Sequence, residues 1–399
     1  MKELSINSVI GVVGAGTMGS GIAQIAASAG HSTVLFDTNR AVLQKAESNL
    51  HATFAKLVEK GKYTAEAASA IISKITFSFS LPDFVACDLV IEAIVEDLAI
   101  KQIVFSEVES IVSQDCIIAS NTSSLSITSI AAACSLPQRI MGIHFFNPAP
   151  LMPLVEIIPA LATDQTLIAN VKSLLTSWGK SVVIAKDTPG FIVNRLARSY
   201  YGESIRLYEE SWEGIPSGQN GFATIDWAMK EVGGFKMGPF ELMDLIGNDI
   251  NYKVTETVWT QFFYDGRYKP SLTQKRLFEA KRFGKKSGMG YYDYSENAIS
   301  PKPLNDRFLA EKIFMRVISM LINEAVDAFY LNVAGRDDLD TAMQKGVNYP
   351  KGLLKWCDEI GAEKILATLV GLHETYLEER YRPSVLLRKM VADKKKFYS

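Results

Sequence analysis

The chain has 399 residues and a formal charge of −2, with 48% apolar and 22% charged residues. This composition is typical of a water-soluble globular protein. The near-zero charge excludes a broad positive field that would attract nucleic acid or an anionic membrane. The length exceeds what one hydrophobic core normally supports, so two or three domains are expected.

Cysteines and apolar runs give no sign of secretion or membrane insertion. Four cysteines occur, at Cys87, Cys116, Cys134 and Cys357, without metal-ligand spacing. Scattered thiols of this kind indicate reduced, mostly buried side chains and a cytoplasmic protein. The early apolar run is short and glycine-rich, which favours a buried strand over a signal peptide. No segment reaches the ~18 consecutive apolar residues of a membrane span.

The N-terminal part alternates short apolar runs with helical patterns. The predicted strands are 9–13, 33–37, 89–94, 117–120, 140–144, 155–158 and 182–184. Helical patterns begin near Thr17, Arg40, Ile100 and Thr166. Strands separated by helical stretches indicate βαβ units and a mostly parallel sheet. An α/β domain is therefore predicted for residues 1–187.

Beyond Gly190 the sequence is helical and contains an internal repeat. Apolar residues recur at helical spacing over 191–210, 222–232, 240–263 and 271–282. A Pro-containing stretch over 293–306 is typical of a linker. Residues 225–247 match 339–361 without a gap, and 267–271 match 380–384. We therefore predict two all-α domains related by the repeat, 188–295 and 304–399.

A glycine motif, G-x-G-x-x-G, follows the first predicted strand and opens a helix. Its first glycine permits a tight turn, the second lets the backbone approach a pyrophosphate, and the third lets the helix pack on the strand. The helix N-terminus attracts phosphate, and an acidic residue after the second strand can bind ribose hydroxyls and repel a 2′-phosphate. The residues assigned to this site are Gly14, Gly16, Thr17, Met18, Gly19 and Asp37. The motif in this context predicts a Rossmann domain that binds NAD rather than NADP, with Arg40 interpreted as a solvated helix residue.

His144 is the strongest candidate for acid/base chemistry among the four histidines. It ends a predicted strand, and catalytic groups in open α/β sheets lie at the carboxyl ends of strands. Glu156 lies in an apolar strand, where an unpaired carboxylate would be costly, so we expect it to pair with His144. The carboxylate would hold one ring nitrogen and leave the other to take a proton. His31 is interpreted as a helix-end residue, and His51 and His373 as surface residues.

Three segments carry a family resemblance: SNTSSL at 120–125, HFFNPAPLMPLVE at 144–156 and DTPGFIVNRL at 187–196. With the glycine motif and IEAIVE at 91–96, they resemble the signatures of L-3-hydroxyacyl-CoA dehydrogenases, over roughly residues 7–295. The second helical copy is similar to the duplicated C-terminal domain of longer members. The resemblance implies an NAD-dependent enzyme that interconverts L-3-hydroxyacyl-CoA and 3-ketoacyl-CoA. It favours 3-hydroxybutyryl-CoA-like substrates of fatty-acid β-oxidation or butanoate metabolism.

The resemblance also implies catalytic roles. His144 would be the acid/base and Glu156 its orienting partner. Ser123 and Asn194 match family residues that bind the reacting oxygen or the thioester end of the substrate. Considered without the resemblance, both have the sequence context of turn or helix-cap residues. Their assignment therefore depends on the family alone.

Contacts to the cofactor and to CoA are implied in the same way. Asn147, Glu96 and Lys101 match positions around the nicotinamide and its ribose. Lys56 matches a CoA-binding position, although a solvated lysine-bearing helix face explains it equally well. The expected ligands are therefore NAD and an acyl-CoA, with no metal, nucleic-acid or membrane partner.

The second helical copy departs from the first at the substrate position. Asn194 aligns approximately with Met315, while Arg195 aligns with Arg316. Because the second copy lacks the polar group, we interpret it as structural. Short family members dimerise through this helical domain, so the tandem copy is expected to pack on the first as an internal pseudo-dimer. A homodimer built on some other surface stays open alongside this internal pairing.

Other functions remain open from the sequence. The substrate could be 3-hydroxyadipyl-CoA, in aromatic-acid degradation, or the chain could be a non-catalytic NAD-binding structural homologue. A 3-hydroxyacid dehydrogenase acting on free acids would normally use a catalytic lysine, and the His144–Glu156 pair argues against it.

Overall fold

An eight-stranded sheet organises the first of two units, Met1–Thr188, in a computed structural model that describes residues 3–398. Its strands are β1 (Ile10–Val13), β2 (Thr33–Phe36), β3 (Ile75–Ser78), β4 (Leu89–Glu92), β5 (Ile117–Ser120), β6 (Ile140–Phe145), β7 (Leu154–Pro159) and β8 (Ser181–Ile184). Their order is β3-β2-β1-β4-β5-β6-β7-β8, and only β6 and β7 pair antiparallel within the described sheet. The predicted mostly parallel sheet is confirmed.

Helices connect these strands. They are α1 (Thr17–Ser28), α2 (Arg40–Glu59), α3 (Ala65–Ile72), α4 (Leu98–Ile111), α5 (Ile127–Ala131) and α6 (Gln165–Ser177), with single 3₁₀ segments at Leu81–Ala86 and Pro137–Arg139. Helices α1, α2, α4 and α6 begin within two residues of the predicted positions, whereas α3 and α5 were not predicted. Strands β1, β4 and β5 are buried at every residue, because helices cover a parallel sheet on both faces. The core of this unit therefore lies along the centre of the sheet.

Polar side chains determine where most of these helices begin. Each accepts a hydrogen bond from a first-turn amide, which otherwise lacks an intrahelical partner. These caps are Asn39, Thr64, Asp97, Ser126 and Asp164. Helix α1 begins differently, because Gly16 at its N-cap has no side chain that could accept. The amides at the start of α1 are therefore left without a side-chain cap.

Strand β3 has no counterpart among the predicted strands. It pairs with β2 at the edge of the sheet, and its two end residues are buried while the two between them are more exposed. An edge strand of four residues that includes a threonine and a serine gives little apolar signal. Its pairing with β2, rather than its composition, holds it in place.

His31 follows the end of α1, as predicted, but it is buried, which the sequence did not indicate. Only 1% of the residue is exposed, its Nδ1 lies 3.0 Å from the Ser8 carbonyl oxygen, and the Trp178 indole donates to its Nε2 at 2.9 Å. Because an indole nitrogen only donates, Nε2 must be the unprotonated nitrogen. Burial lowers the pKa of His31 below its ordinary value of 6.5.

We expect this histidine to make the fold sensitive to acid. Its neutral form is the native one, so its stabilising contribution is complete above pH 6.5 and is lost as the pH falls below that value. In a His31→Gln variant the amide oxygen can still accept from Trp178 without titrating. The urea midpoint should therefore fall less between pH 7.5 and 5.5 in this variant than in the wild type. The exposed His51→Gln is the control, and equal pH dependence in all three proteins would contradict the assignment.

The second unit, Pro189–Ser399, is helical. The first copy contains α7 (Val193–Leu196), α8 (Arg198–Glu209), α9 (Gly218–Glu231), α10 (Pro239–Ile246), α11 (Asn248–Gln261) and α12 (Leu272–Glu279). The second contains α13 (Arg307–Tyr330), α14 (Arg336–Gly346), α15 (Leu353–Ile360), α16 (Ala362–Tyr376) and α17 (Val385–Asp393). Single 3₁₀ turns occur at Trp212–Gly214, Gly266–Tyr268, Lys285–Ser287 and Glu379–Tyr381. No helix in residues 3–398 is both long and apolar enough to cross a membrane.

Both helical copies lie in this one unit, so their division into separate domains, 188–295 and 304–399, stays a prediction. The stretch 240–263, predicted as one helix, is divided into α10 and α11. Gly247 separates them with a φ of 103°, a conformation that residues with a side chain rarely adopt.

The repeat in sequence is matched by a repeat in side-chain contacts. Asp226 accepts from two first-turn amides of α10, at 2.9 and 3.0 Å, and from the Tyr292 hydroxyl at 2.7 Å. Its counterpart Asp340 accepts from two first-turn amides of α15, at 2.8 and 3.0 Å, and from the Tyr398 hydroxyl at 2.9 Å. The two copies therefore fold around the same buried carboxylate.

Two ion pairs join the copies reciprocally. Arg195 of the first copy contacts Glu324 of the second at 2.5 Å, and Arg316 of the second contacts Glu203 of the first at 2.6 Å. All four side chains are almost completely buried. Helix α13 accordingly packs on α8 and α9. Each copy thus gives an arginine to one bridge and a glutamate to the other, as in a two-fold symmetric interface.

Candidate active site

The carboxyl ends of the parallel strands bring most of the predicted site residues to one edge of the sheet. The glycine motif follows β1, Asp37 follows β2, Glu96 follows β4, Ser123 follows β5, and His144 lies at the end of β6. Strands β1 and β4 are neighbours although β2 and β3 intervene in sequence. Such a switch point is where open α/β sheets bind ligands.

The glycine loop is shaped for close backbone approach. Gly14 has a φ of +100°, and a Cβ there would lie 2.7 Å from the Ala93 carbonyl oxygen. A Cβ on Gly19 would overlap the carbonyl oxygen of Gly14, whereas one on Gly16 would meet nothing within 4 Å. The open side of the loop therefore faces the uncapped start of α1. This combination fits the pyrophosphate of a dinucleotide.

Asp37 is held beside this loop. Its Oδ2 accepts from the Ala15 amide at 2.9 Å, and its Oδ1 accepts from the Asn39 amide at 2.8 Å. Each carboxylate oxygen has a second lone pair that can accept from a ribose hydroxyl. The Arg40 guanidinium lies 4.1 Å from the centre of the Phe79 ring. The Asp37 carboxylate and the glycine loop therefore fit the ribose and the pyrophosphate of NAD.

His144 and Glu156 form the predicted pair. They lie directly opposite each other in the antiparallel pairing of β6 with β7, and His144 Nδ1 is 2.7 Å from Glu156 Oε2. His144 is 6% exposed and Glu156 is completely buried. With Nδ1 donating to the carboxylate, Nε2 is the nitrogen that can exchange a proton with a substrate.

Lys101 is buried beside two carboxylates. Its Nζ lies 2.5 Å from Glu92 Oε1 and 3.4 Å from Glu96 Oε2, and the residue is 1% exposed. The second Glu92 oxygen accepts from the Ser120 hydroxyl at 2.7 Å. Lys101 therefore acts on the site by balancing the charge of Glu92 and Glu96, since its ammonium is enclosed by protein.

Glu96 organises the segment that contains Ser123. Its Oε1 accepts from the Thr122 hydroxyl at 2.5 Å, the Ser124 hydroxyl at 3.0 Å and the Ser123 amide at 3.1 Å. Burial opposes ionisation of Glu96, but Lys101 and these donors outweigh it and lower its pKa. The charged carboxylate thus fixes the backbone on which Ser123 lies.

Two positioning residues were missed by sequence reasoning. Asn121 Oδ1 accepts from the Phe145 amide at 2.8 Å and so holds the end of β6. Lys180 donates to the carbonyl oxygens of Ala149 and Met152, at 2.6 and 2.8 Å, and fixes the loop after His144. Burial lowers the pKa of Lys180. Asn121 lies inside the SNTSSL segment, but no sequence signal marks Lys180.

The remaining predicted residues occupy more open positions. Asn147 is exposed in the loop after β6, and Lys56 is on the exposed face of α2. Thr17 is exposed and Met18 is half-buried at the start of α1. Asn194 is half-buried on α7, in the second unit.

Comparison with known families agrees with both units. The sequence model described as 3-hydroxyacyl-CoA dehydrogenase, NAD binding domain, matches residues 9–188. The model of the C-terminal domain of that family matches 190–294 and again 313–397. The chain belongs to the 3-hydroxyacyl-CoA dehydrogenase family. It is therefore an NAD-dependent oxidoreductase, and the predicted enzyme class, cofactor and fold are confirmed.

Several members of the 3-hydroxyacyl-CoA dehydrogenase family resemble the chain over most of its length. The 3-hydroxyadipyl-CoA dehydrogenase of Escherichia coli K12 is 35% identical over 95% of this chain and 96% of its own. The mitochondrial hydroxyacyl-coenzyme A dehydrogenase of Sus scrofa is 38% identical over 73% of this chain and 93% of its own. The crystal structure of 3-hydroxybutyryl-CoA dehydrogenase from Escherichia coli K12 superposes with a TM-score of 0.90, at 34% identity, over 98% of this chain and 99% of that chain.

Proposed function

We propose that the enzyme interconverts L-3-hydroxyacyl-CoA and 3-ketoacyl-CoA with His144 as the acid/base, on short substrates of the 3-hydroxybutyryl-CoA type. The observation that carries this proposal is the 2.7 Å contact between His144 and Glu156, on the sheet edge that also presents the glycine loop. Relatives named for 3-hydroxybutyryl-CoA support the substrate class.

The chemistry assigns one task to each group. His144 Nε2 removes the proton from the C3 hydroxyl, and the imidazolium that forms is stabilised by the adjacent carboxylate of Glu156. Bound NAD⁺ supplies the acceptor for the hydride. In the reverse direction the imidazolium returns its proton to the keto oxygen. Glu156 keeps its charge throughout, because it acts by orientation and electrostatics.

The other assignments are also proposals. Ser123 and Asn194 would bind the reacting oxygen or the thioester end, supported for Ser123 by the fixed backbone beside Glu96. Asn147 and Glu96 would lie around the nicotinamide ribose, with Lys101 acting through Glu96. Lys56 would contact the CoA phosphates from the exposed face of α2.

One assay separates this function from the alternatives. NADH absorbance is followed with acetoacetyl-CoA and with free acetoacetate. We expect oxidation of NADH with the thioester alone. Turnover of the free acid would instead indicate a 3-hydroxyacid dehydrogenase, and turnover of neither would indicate a non-catalytic NAD-binding protein.

Asp37 should determine the choice of cofactor. In Asp37→Ala we expect kcat/KM for NAD to fall by about 10- to 100-fold, because a hydrogen bond to a charged group contributes ~1.5–3 kcal/mol. The preference for NAD over NADP should narrow at the same time, since the charge that repels a 2′-phosphate is gone. Asp164→Ala, which removes a cap from α6, is the control and should change neither value. A wild type that uses both cofactors equally well would contradict the assignment.

We also propose that the second helical copy packs on the first as an internal pseudo-dimer. The two reciprocal ion pairs support this arrangement, because each bridge has the same partners with their copies exchanged. An additional homodimer would have to use a surface other than the one these bridges bury.

We place the enzyme in the cytoplasm. Cys87, Cys116 and Cys357 are buried and form no disulfide within residues 3–398. Burial raises the pKa of Cys87 and of Cys357 to about 12, so these thiols stay protonated and unreactive. Such cysteines suit a reducing compartment.

A further inference from the structure

Arg198 is a buried cation whose neighbours are all neutral. Its Nε donates to the Asn194 carbonyl oxygen at 2.9 Å, and its Nη1 donates to the Asn251 carbonyl oxygen at 3.3 Å and the Thr255 hydroxyl at 3.0 Å. The Tyr201 ring lies 5.0 Å from the guanidinium carbon. Within residues 3–398 no carboxylate forms an ion pair with it.

Other buried arginine side chains of this unit are neutralised. Those that contact at least one carboxylate are Arg195, Arg267, Arg316 and Arg380. Burial lowers the pKa of Arg198, whereas nearby carboxylates outweigh burial and raise the pKa of Arg195 and Arg316. A buried charge without a counter-charge destabilises a fold. The packing of the helices therefore does not explain why an arginine occupies position 198.

The repeat shows what the fold itself requires at these positions. The two ungapped matches and the approximate alignment of Asn194 with Met315, continued along the helices, pair four polar residues of the first copy with small or apolar residues of the second. The pairs are Arg198 with Ser319, Asn251 with Ile365, Thr255 with Leu369, and Gln274 with Leu387. The second-copy residues are completely buried. The second copy therefore forms the same helical unit without the polar set, which we define as Arg198, Asn251, Thr255 and Gln274. It retains the arginine and the glutamate of the buried ion pairs.

The polar set leaves hydrogen-bond donors unused. Arg198 Nη2 donates to no group in residues 3–398, while the residue keeps 7% of its surface exposed. The Asn251 side-chain nitrogen is buried without an acceptor there, while the Asn251 side-chain oxygen accepts from Gln274 at 2.6 Å. Unused hydrogen-bond donors next to a positive charge that has no counter-ion form a suitable binding site for an anion.

The second copy contributes one more donor. Tyr349 has a buried hydroxyl without a partner in the described chain, and its counterpart in the first copy is Phe235. Burial raises the pKa of Tyr349, and the positive charge of Arg198 partly offsets this effect. The Tyr349 ring packs on Tyr200, with 5.6 Å between the ring centroids, and Tyr200 in turn packs on Tyr201, the ring beside the Arg198 guanidinium.

We propose that Arg198, Asn251 and Tyr349 bind the terminal carboxylate of the acyl group, so that the enzyme also accepts CoA thioesters of 3-hydroxy dicarboxylic acids and prefers them to uncharged thioesters of equal chain length. The inference rests on the proposed function, which assigns Asn194 to the substrate. Arg198 follows Asn194 by one helical turn and donates to its carbonyl oxygen at 2.9 Å, so an acyl group bound by Asn194 would lie beside the guanidinium. A guanidinium fork and a carboxylate match in geometry.

Two substrates of equal chain length test this assignment. 3-Hydroxyadipyl-CoA has a carboxylate where 3-hydroxyhexanoyl-CoA has a methyl group. We expect the wild type to prefer the adipyl substrate by at least about tenfold in kcat/KM. Arg198→Gln should lower kcat/KM for that substrate by about 10- to 100-fold and leave the hexanoyl value within about threefold. The control is Arg206→Gln, a half-buried residue on the same helix that pairs with Glu378, which should change neither value.

Tyr349→Phe gives a second variant that should fold, because phenylalanine already occupies the matching position of the first copy. It should lower kcat/KM for the adipyl substrate alone, by about three- to tenfold. An equal loss for both substrates in both variants, or a wild type without preference, would overturn the inference. A wild type inactive on every 3-hydroxyacyl-CoA would instead refute the proposed function.

Discussion

Replacing His144 with alanine should lower kcat by about 10²–10⁴, the usual contribution of a general base, while NADH still binds. The reason is geometric, because Glu156 holds Nδ1 at 2.7 Å and only Nε2 can exchange the hydroxyl proton. NADH should still bind because the glycine loop and Asp37 do not depend on the imidazole of His144. Fluorescence titration measures this binding. Turnover near the wild-type value in the pure variant would remove His144 from the mechanism.

Two controls separate chemistry from folding in this experiment. Alanine leaves Glu156 buried without its ring partner, which destabilises the sheet. His144→Gln can still donate to the carboxylate but cannot accept and return a proton, so it should be folded and equally inactive. The exposed His51→Ala should retain full activity. Loss of activity in that variant would show that the assay responds to general damage.

Replacing Glu324 with alanine should lower the free energy of unfolding by about 3–5 kcal/mol, the cost of removing one partner of a buried ion pair. Arg195, Arg267 and the Tyr268 hydroxyl all contact this carboxylate, at 2.5, 3.1 and 2.5 Å. Burial opposes ionisation of Glu324, but the two arginines outweigh it and lower its pKa. Its stabilising effect is therefore complete above its ordinary pKa of 4.5 and is lost as the pH falls. Urea denaturation at pH 7 measures the change.

The reciprocal bridge predicts a matching result. Glu203→Ala removes the equivalent partner of Arg316 and should destabilise the protein by a similar amount. Glu311→Ala is the control on helix α13, because its pair with Arg307 is exposed and worth ~1 kcal/mol or less. If all three variants unfold at the same urea concentration, the buried bridges do not hold the copies together.

The strands with long apolar runs could be predicted from the sequence, whereas the short edge strand β3 could not. The interior strands contain consecutive buried residues, which leave a continuous apolar pattern. Strand β3 is defined by its pairing with β2, a long-range contact that composition does not encode. The same holds for His31, whose environment depends on Trp178, far away in the sequence.

The catalytic pair could be predicted because a carboxylate in an apolar strand requires a partner. The same argument applied to Glu92, which ends the buried strand β4, would have found its contact with Lys101. Asn121 and Lys180 could not be found in this way. Their roles depend on which backbone atoms the folded chain brings near them.

Because both halves of the interface lie in one chain, the two copies can be substituted separately, whereas identical subunits cannot. In a symmetric homodimer every substitution enters the interface twice, so its energetic cost is doubled, and dilution separates the partners. In this chain a substitution in one copy alters one bridge and leaves the other intact, and no dilution can part the two halves. One copy is therefore able to carry a residue such as Arg198 while the other keeps Ser319 in the same place.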